Sequence, residues 1–311
     1  MVRVVNVSCE RESRAKEVLA TLLREQRVES FEREKNPAER EAIAAIIRSM
    51  PEFVRAYGGH PVDGLSEDNF HIVNENLLSE NQQNAVLGTD VAGLYDFENQ
   101  RILVLPEEHS LLTSIQRMVH ETLHLESFLS FTAEEEPPTG KTLLHVRRIG
   151  LGVFNDEHTK RFFRDLDEAV IEELVARFDT RYFSQITALT PELERRAEMT
   201  SQLGLQHGAI ASVVDTERPN GRWETTVHEW RYKRERRILN DLASRLHNAN
   251  RDRFASEEEV IGLFARAALT GKLSDLARLI ENTLGKGAFR ALGEQTALRA
   301  DQEPDTSKAP S

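Results

Sequence analysis

Ile115-Gln-Arg-Met-Val-His-Glu-Thr-Leu-His-Leu-Glu-Ser-Phe128 contains an H-E-x-x-H, His120-Glu121-Thr122-Leu123-His124. On a helix, residues four apart stand one turn above each other on the same face. Two imidazoles so placed reach one metal ion, and the glutamate between them stands beside the ion's open position. The chemistry such an arrangement serves is water activation on zinc, with Glu121 as the base. In a chain with ten histidines and 52 acidic residues, a chance match arises roughly a few per cent of the time. The helical wheel argues against coincidence. Leu111, Leu112, Ile115, Met118, Val119 and Leu123 fall on one arc, and His120 and His124 lie off it.

A second stretch supplies a third ligand. Phe162–Phe178 reads as an amphipathic helix whose stripe is Phe163, Leu166, Val170, Leu174 and Phe178. Glu168 and Glu172 lie together at i and i+4, away from the centre of that stripe. Like charges at this spacing mildly destabilise an isolated helix, and the bland reading is a solvated pair. A metal and a ligand histidine would neutralise them instead: Glu168 completing a two-His, one-Glu set with water fourth, Glu172 accepting the N–H of a ligand imidazole.

H-E-x-x-H followed by a helix bearing N-E-A-x-x-[DE] resembles the signature of the glutamate-type zincins, the thermolysin-like metallopeptidases. Here the second part reads Asp167-Glu168-Ala169-Val170-Ile171-Glu172. The resemblance implies His120, His124 and Glu168 as zinc ligands, Glu121 as general base and Glu172 as the supporting carboxylate. It departs in Asp167, where Asn is usual, and in the 44 positions from His124 to Glu168, a longer gap than in thermolysin. The match covers about residues 90–180, and the pattern is also similar to that of uncharacterised bacterial proteins.

Around the motif, Gly93–Phe97 and Arg101–Leu105 read as two strands with a turn at Glu98-Asn99. Zincins place an edge strand just before the active-site helix, where it pairs with an extended substrate; an ordinary hairpin under the helix is the equal alternative. Pro106 is expected to open the active-site helix, which runs to about Ser130. Thr132–Gly140 reads as an exposed loop, and Leu143–Val153 as one or two strands. Zincin catalysis usually needs a further donor to the developing oxyanion. The candidates are His158, Tyr182, His207, His228 and Tyr232, with Tyr232 preferred for a catalytic role beside Glu121; its alternative is an amphipathic surface or core tyrosine.

Elsewhere, Val2–Val7 reads as a strand and residues 10–27 as a helix. Asn36-Pro37 starts a helix that breaks before Pro51. Pro191–Leu203 is a short helix, Gly204–Arg222 a loop with a turn at Pro219-Asn220-Gly221, and Trp223–Leu246 a long helix. Ser256 and Glu259 form a capping box for Glu257–Thr270. Gly271 ends that helix, and Gly285 ends Asp275–Leu284. The expected organisation is α+β: an N-terminal strand and helix region (1–64), a zincin-like catalytic core with a small sheet and active-site helix (65–185), an all-helical C-terminal domain (186–298) and a disordered tail (299–311).

Composition bounds the partners. The chain has 311 residues and a net charge of −12, which disfavours nucleic acid as a general partner. No apolar run approaches a membrane span, and the first residues are too short and charged for a signal peptide. The single cysteine, Cys9, leaves no intrachain disulfide framework; it fits a reducing cytoplasm and other compartments alike. The expected activity is zinc-dependent hydrolysis of a peptide or protein substrate. The rival is a non-enzymatic interaction protein on a zincin-like scaffold.

Overall fold

The structure, a computed structural model, describes residues 2–5, 31–77, 93–96, 99–107, 109–136, 141–156, 159–206, 208–218 and 220–299. The helix expected over 10–27 and the expected tail beyond Arg299 lie outside them. Val2–Val5 forms β1. The first helix, α1 (Pro37–Ala56), starts at a reciprocal cap. Asn36 Oδ1 accepts from the Glu39 amide at 2.9 Å, and the Glu39 carboxylate accepts from the Asn36 amide at 2.8 Å. The helix continues through Pro51 instead of breaking before it. A proline costs one intrahelical hydrogen bond, but Ile46, Met50, Phe53 and Val54 bury one face on both sides of it, and packing holds the helix through.

β2 (Phe70–Ile72), β3 (Gly93–Asp96) and β4 (Arg101–Val104) form a sheet in the order β2-β4-β3. β2 runs parallel to β4, and β3 is antiparallel to it with Gly93 opposite Val104 and Asp96 opposite Arg101. The expected hairpin is present, and β3 is an edge strand of this sheet among the described residues. The motif helix, α2, spans Leu111–Glu126, shorter at both ends than the Pro106–Ser130 expectation. Its start is set by an acid distant in sequence. The Glu192 carboxylate accepts from the Leu111 amide at 2.9 Å and from Ser110 Oγ at 2.6 Å, and Ser110 Oγ accepts from the Thr113 amide at 3.0 Å. Glu107 lies before the helix and pairs with Arg117.

After α2 the chain turns into β5 (Leu129–Glu136), which ladders against β6 (Lys141–Ile149) along its full length. The expected loop over Thr132–Gly140 is therefore strand as far as Glu136. A partner strand satisfies the backbone there whatever the local acidity. β7 (Gly152–Phe154) and β8 (Lys160–Phe162) follow, so Leu143–Val153 is two strands. Then come α3 (Arg164–Tyr182) and α4 (Thr190–Gln202).

The largest departure is next. Residues 204–222 hold β9 (Ile210–Glu217), and the helix expected from Trp223 is first a strand, β10 (Trp223–Glu229). The two form an antiparallel hairpin closed at Arg218–Arg222, with Gly221 at φ 74°. Thr225, Thr226 and Val227 are β-branched, and Asn220-Gly221 is a hairpin turn, so β-preference wins where a helical period had been read. α5 begins only at Lys233 and runs to Ala249. α6 (Glu257–Thr270), α7 (Ser274–Leu284), α8 (Ala288–Gln295) and β11 (Leu298–Arg299) complete the chain. α6 has the expected cap, with Ser256 accepting from the Glu259 amide, and ends at Gly271 in the left-handed region, φ 75°. Residues 186–298 are thus not all helical, and the protein is α+β.

Two units are distinguishable: Met1–Ala56, Pro61–Glu126 and Glu172–Lys233 in the first, and Tyr57–His60, Ser127–Ile171 and Arg234–Ser311 in the second. The first holds the β2-β4-β3 sheet, the β1-β10-β9 sheet, α1, α2, α4 and the C-terminal part of α3. Its core includes Ile43, Phe53, Phe70, Leu103, Ile115, Met118, Val119, Leu123 and Phe178, all 2% exposed or less. The second holds a five-stranded sheet in the order β11-β8-β7-β6-β5 with α5 to α8 and the first two turns of α3.

Candidate metal centre

Of the predicted arc, Leu112, Ile115, Met118, Val119 and Leu123 are buried and fix the rotation of α2, while Leu111 at the helix start is half-buried. Burial does not stop at that arc. His120 is 2% exposed and Glu121 5%, so their polar atoms need partners, while His124 is half-buried.

The two imidazoles meet edge to face, with ring centroids 4.9 Å apart and planes at 71°. Their Nε2 atoms are 3.2 Å apart. Two imidazoles ligating one zinc at about 2.0–2.1 Å in tetrahedral geometry hold their nitrogens roughly 3.3–3.4 Å apart, so the spacing fits a shared ion. His120, His124 and Glu168 each offer one ligand atom, and these atoms all lie within 4.8 Å of one another. Among the described residues this is the only such cluster of three. Glu168 comes from α3, which runs unbroken through Ile171 and Glu172, so Glu168 stands one helical turn before Glu172. It is 1% exposed, with Arg164 Nε at 3.9 Å.

Glu172 has two engagements. One carboxylate oxygen meets His120 Nδ1 at 3.1 Å, and the other accepts from the Arg231 amide at 2.9 Å. With Nδ1 carrying the proton toward Glu172, the Nε2 lone pair faces the candidate ion, which is the tautomer a ligand needs. The donor set, two imidazole nitrogens and a buried carboxylate, suits zinc.

Glu121 lies against β3. A Cβ built on Gly93 would sit 2.7 Å from Glu121 Cγ and 3.0 Å from its Oε1. Only glycine permits this strand to approach Glu121 so closely.

Tyr232 is not on a helix. It occupies the joint between β10 and α5 with φ 51°, an uncommon backbone for an aromatic residue. Its ring is stacked on His120, with centroids 5.9 Å apart and planes at 14°. Of the other oxyanion candidates, His158 and His207 lie outside the described residues. Tyr182 is 6% exposed in an aromatic cluster with Phe53 and Phe178, a packing role. His228 lies in β10 opposite Ser212.

Sequence reading missed three contributors. Arg164 was discoverable, since it precedes Glu168 by four residues on the same helix. The Gly93 approach and the Arg231 amide depend on tertiary placement and leave no local signal. A fourth group borders the motif. Glu126, at the end of α2, is buried with one oxygen accepting from the Val62 amide at 2.8 Å, and burial pushes its carboxyl up to about 7. Burial, with Asp96 and Glu126 nearby, raises the Tyr95 hydroxyl to about 12.

No protein-family model, curated protein or solved structure matches this chain. The resemblance to glutamate-type zincins rests on the quoted sequence motifs.

Proposed function

We propose that the chain is a zinc-dependent metallopeptidase of the glutamate-zincin type, in which the β2-β4-β3 sheet, α2 and α3 form a zincin-like core. The observation that carries this is the convergence of the His120 and His124 Nε2 atoms, 3.2 Å apart, with the Glu168 carboxylate. Zinc held by these three would supply Lewis acidity toward a carbonyl oxygen and toward water. Glu121 takes the proton of the attacking water and passes it to the leaving amine nitrogen. Glu172 keeps the His120 lone pair directed inward. Tyr232 donates its hydroxyl to the carbonyl oxygen as negative charge develops there. β3 offers its edge to an extended peptide, and the missing side chain at Gly93 lets that edge lie beside Glu121.

Among the described residues no helix is long and apolar enough to cross a membrane. The reading places the activity in the cytoplasm, with a peptide or protein as substrate and neither nucleic acid nor membrane as partner. The test is cleavage of a mixed peptide library by zinc-loaded protein, with Glu121→Gln as the control. Cleavage by the wild type and a loss of roughly 10²–10⁴-fold in the variant supports the reading. Zinc bound without cleavage would favour a non-enzymatic interaction protein on the same scaffold.

A further inference from the structure

The joint between β10 and α5 is built in a way that the hydrolytic reading does not require. Three successive residues are tied down separately. Trp230 is 7% exposed and its indole N–H donates to the Gly208 carbonyl at 2.7 Å. The Arg231 amide donates to Glu172 at 2.9 Å. Tyr232 takes a left-handed backbone, φ 51°, and lays its ring over His120. A bulky residue keeps such a backbone only where its surroundings fix it. Here the surroundings include the carboxylate that orients a metal-ligand candidate.

Glu172 is 3% exposed, and its two oxygens face two N–H donors on different elements: His120 Nδ1 on α2 and the Arg231 amide on the joint. Only a carboxylate meets both. A glutamine has one acceptor oxygen, and its NH₂ would face the second donor. We propose that Glu172 is a two-armed positioning residue that couples the metal-bound orientation of His120 to the placement of Tyr232. Metal binding fixes the His120 ring and its Nδ1–H bond. That fixes the carboxylate, which holds the Arg231 amide and so the Tyr232 ring. Tyr232 takes its working position when the metal is bound. This rests on the metal reading above.

The test reads Tyr232 directly and needs no turnover. The four tyrosines are replaced biosynthetically by 3-fluorotyrosine, and the resonance lost in Tyr232→Phe identifies the reporter. Zinc sulfate is titrated into wild type, Glu172→Gln, Glu172→Asp, Arg231→Pro and Arg231→Ala, with bound zinc and the unfolding temperature measured for each. In wild type, stoichiometric zinc is expected to displace the Tyr232 resonance. In Glu172→Gln zinc affinity falls about 10–100-fold, and at saturating zinc the resonance stays at its zinc-free position. Glu172→Asp keeps both acceptors and restores the displacement. Arg231→Pro removes the second arm, and Arg231→Ala, which keeps the amide but loses the guanidinium 5.6 Å from the Tyr232 ring centroid, is its control: zinc binds as in wild type in both, and the displacement is lost only in the proline variant. If Glu172→Gln unfolds, Arg231→Pro decides alone. Equal displacement in wild type and in the folded variants, with zinc bound, overturns the coupling and leaves the metal site standing. No zinc in wild type overturns the metal reading and the coupling with it.

Discussion

α3 carries four buried acids of two kinds. Asp167 and Asp179, 0% and 3% exposed, are held by short N–H donors. Asp167 accepts from the Leu151 amide at 2.7 Å and from Arg161 at 2.6 Å. Asp179 takes a two-pronged grip from Arg196 at 2.7 and 2.8 Å, with Gln116 at 3.0 Å. Between them, Glu168 and Glu172 face imidazoles. Glu172 meets His120, and Glu168 shares a 4.8 Å neighbourhood with His120 and His124 while its ion pair with Arg164 spans 3.9 Å. The same helix thus sets two carboxylates against amides and guanidinium groups and two beside imidazoles. Burial alone does not mark a site; the chemistry of the partners does.

The contrast predicts different costs for superficially similar truncations. Asp179→Ala leaves the Arg196 guanidinium without its acid and should destabilise by about 3–5 kcal/mol in urea unfolding. Glu168→Ala, measured without metal, should cost less than Asp179→Ala, because its ion pair with Arg164 spans 3.9 Å and Arg164 keeps Asp165 at 3.2 Å. Comparable losses in the two variants would break the distinction.

Glu126 sharpens it from the other side, as a buried acid with neither a cation nor an imidazole among its hydrogen-bond partners. Its carboxyl is raised from 4.5 to about 7, so the folded state holds a proton that the unfolded state gives up between those values. Stability is highest at the acid end and falls as pH rises through that window. Glu126→Gln keeps the acceptor for the Val62 amide, and should gain up to about 3 kcal/mol above pH 7, vanishing toward pH 4.5. Urea unfolding at pH 5 and pH 8 measures the difference; an equal effect at both would contradict it. Smaller again is Gly93→Ala. Its Cβ would sit 2.7 Å from Glu121 Cγ, which should cost about 1–3 kcal/mol of stability, read by thermal unfolding, and displace the Glu121 side chain.

The site was more legible in the sequence than the fold around it. His120, His124, Glu168 and Glu172 declare themselves because helical spacing converts directly into shared faces. The caps at Asn36 and Ser256 are equally local. The start of α2 was misplaced because its cap, Glu192, lies about 80 residues on. The hairpin of β9 and β10 was read as loop and helix because strand pairing is a non-local gain. Tyr232 was set on a helix, but it lies in the joint before α5, beside His120. Asp167, where the zincin pattern has Asn, has its reason in Arg161, a partner that only the folded chain supplies.

The central claim is a two-histidine, one-glutamate metal site, and zinc binding by competition with a chromophoric chelator tests it most directly. Wild type should bind about one zinc per chain, and His124→Ala and Glu168→Ala should each weaken binding by roughly 100-fold or more while staying folded. Wild-type affinity in Glu168→Ala, or no zinc in the wild type itself, would contradict the account.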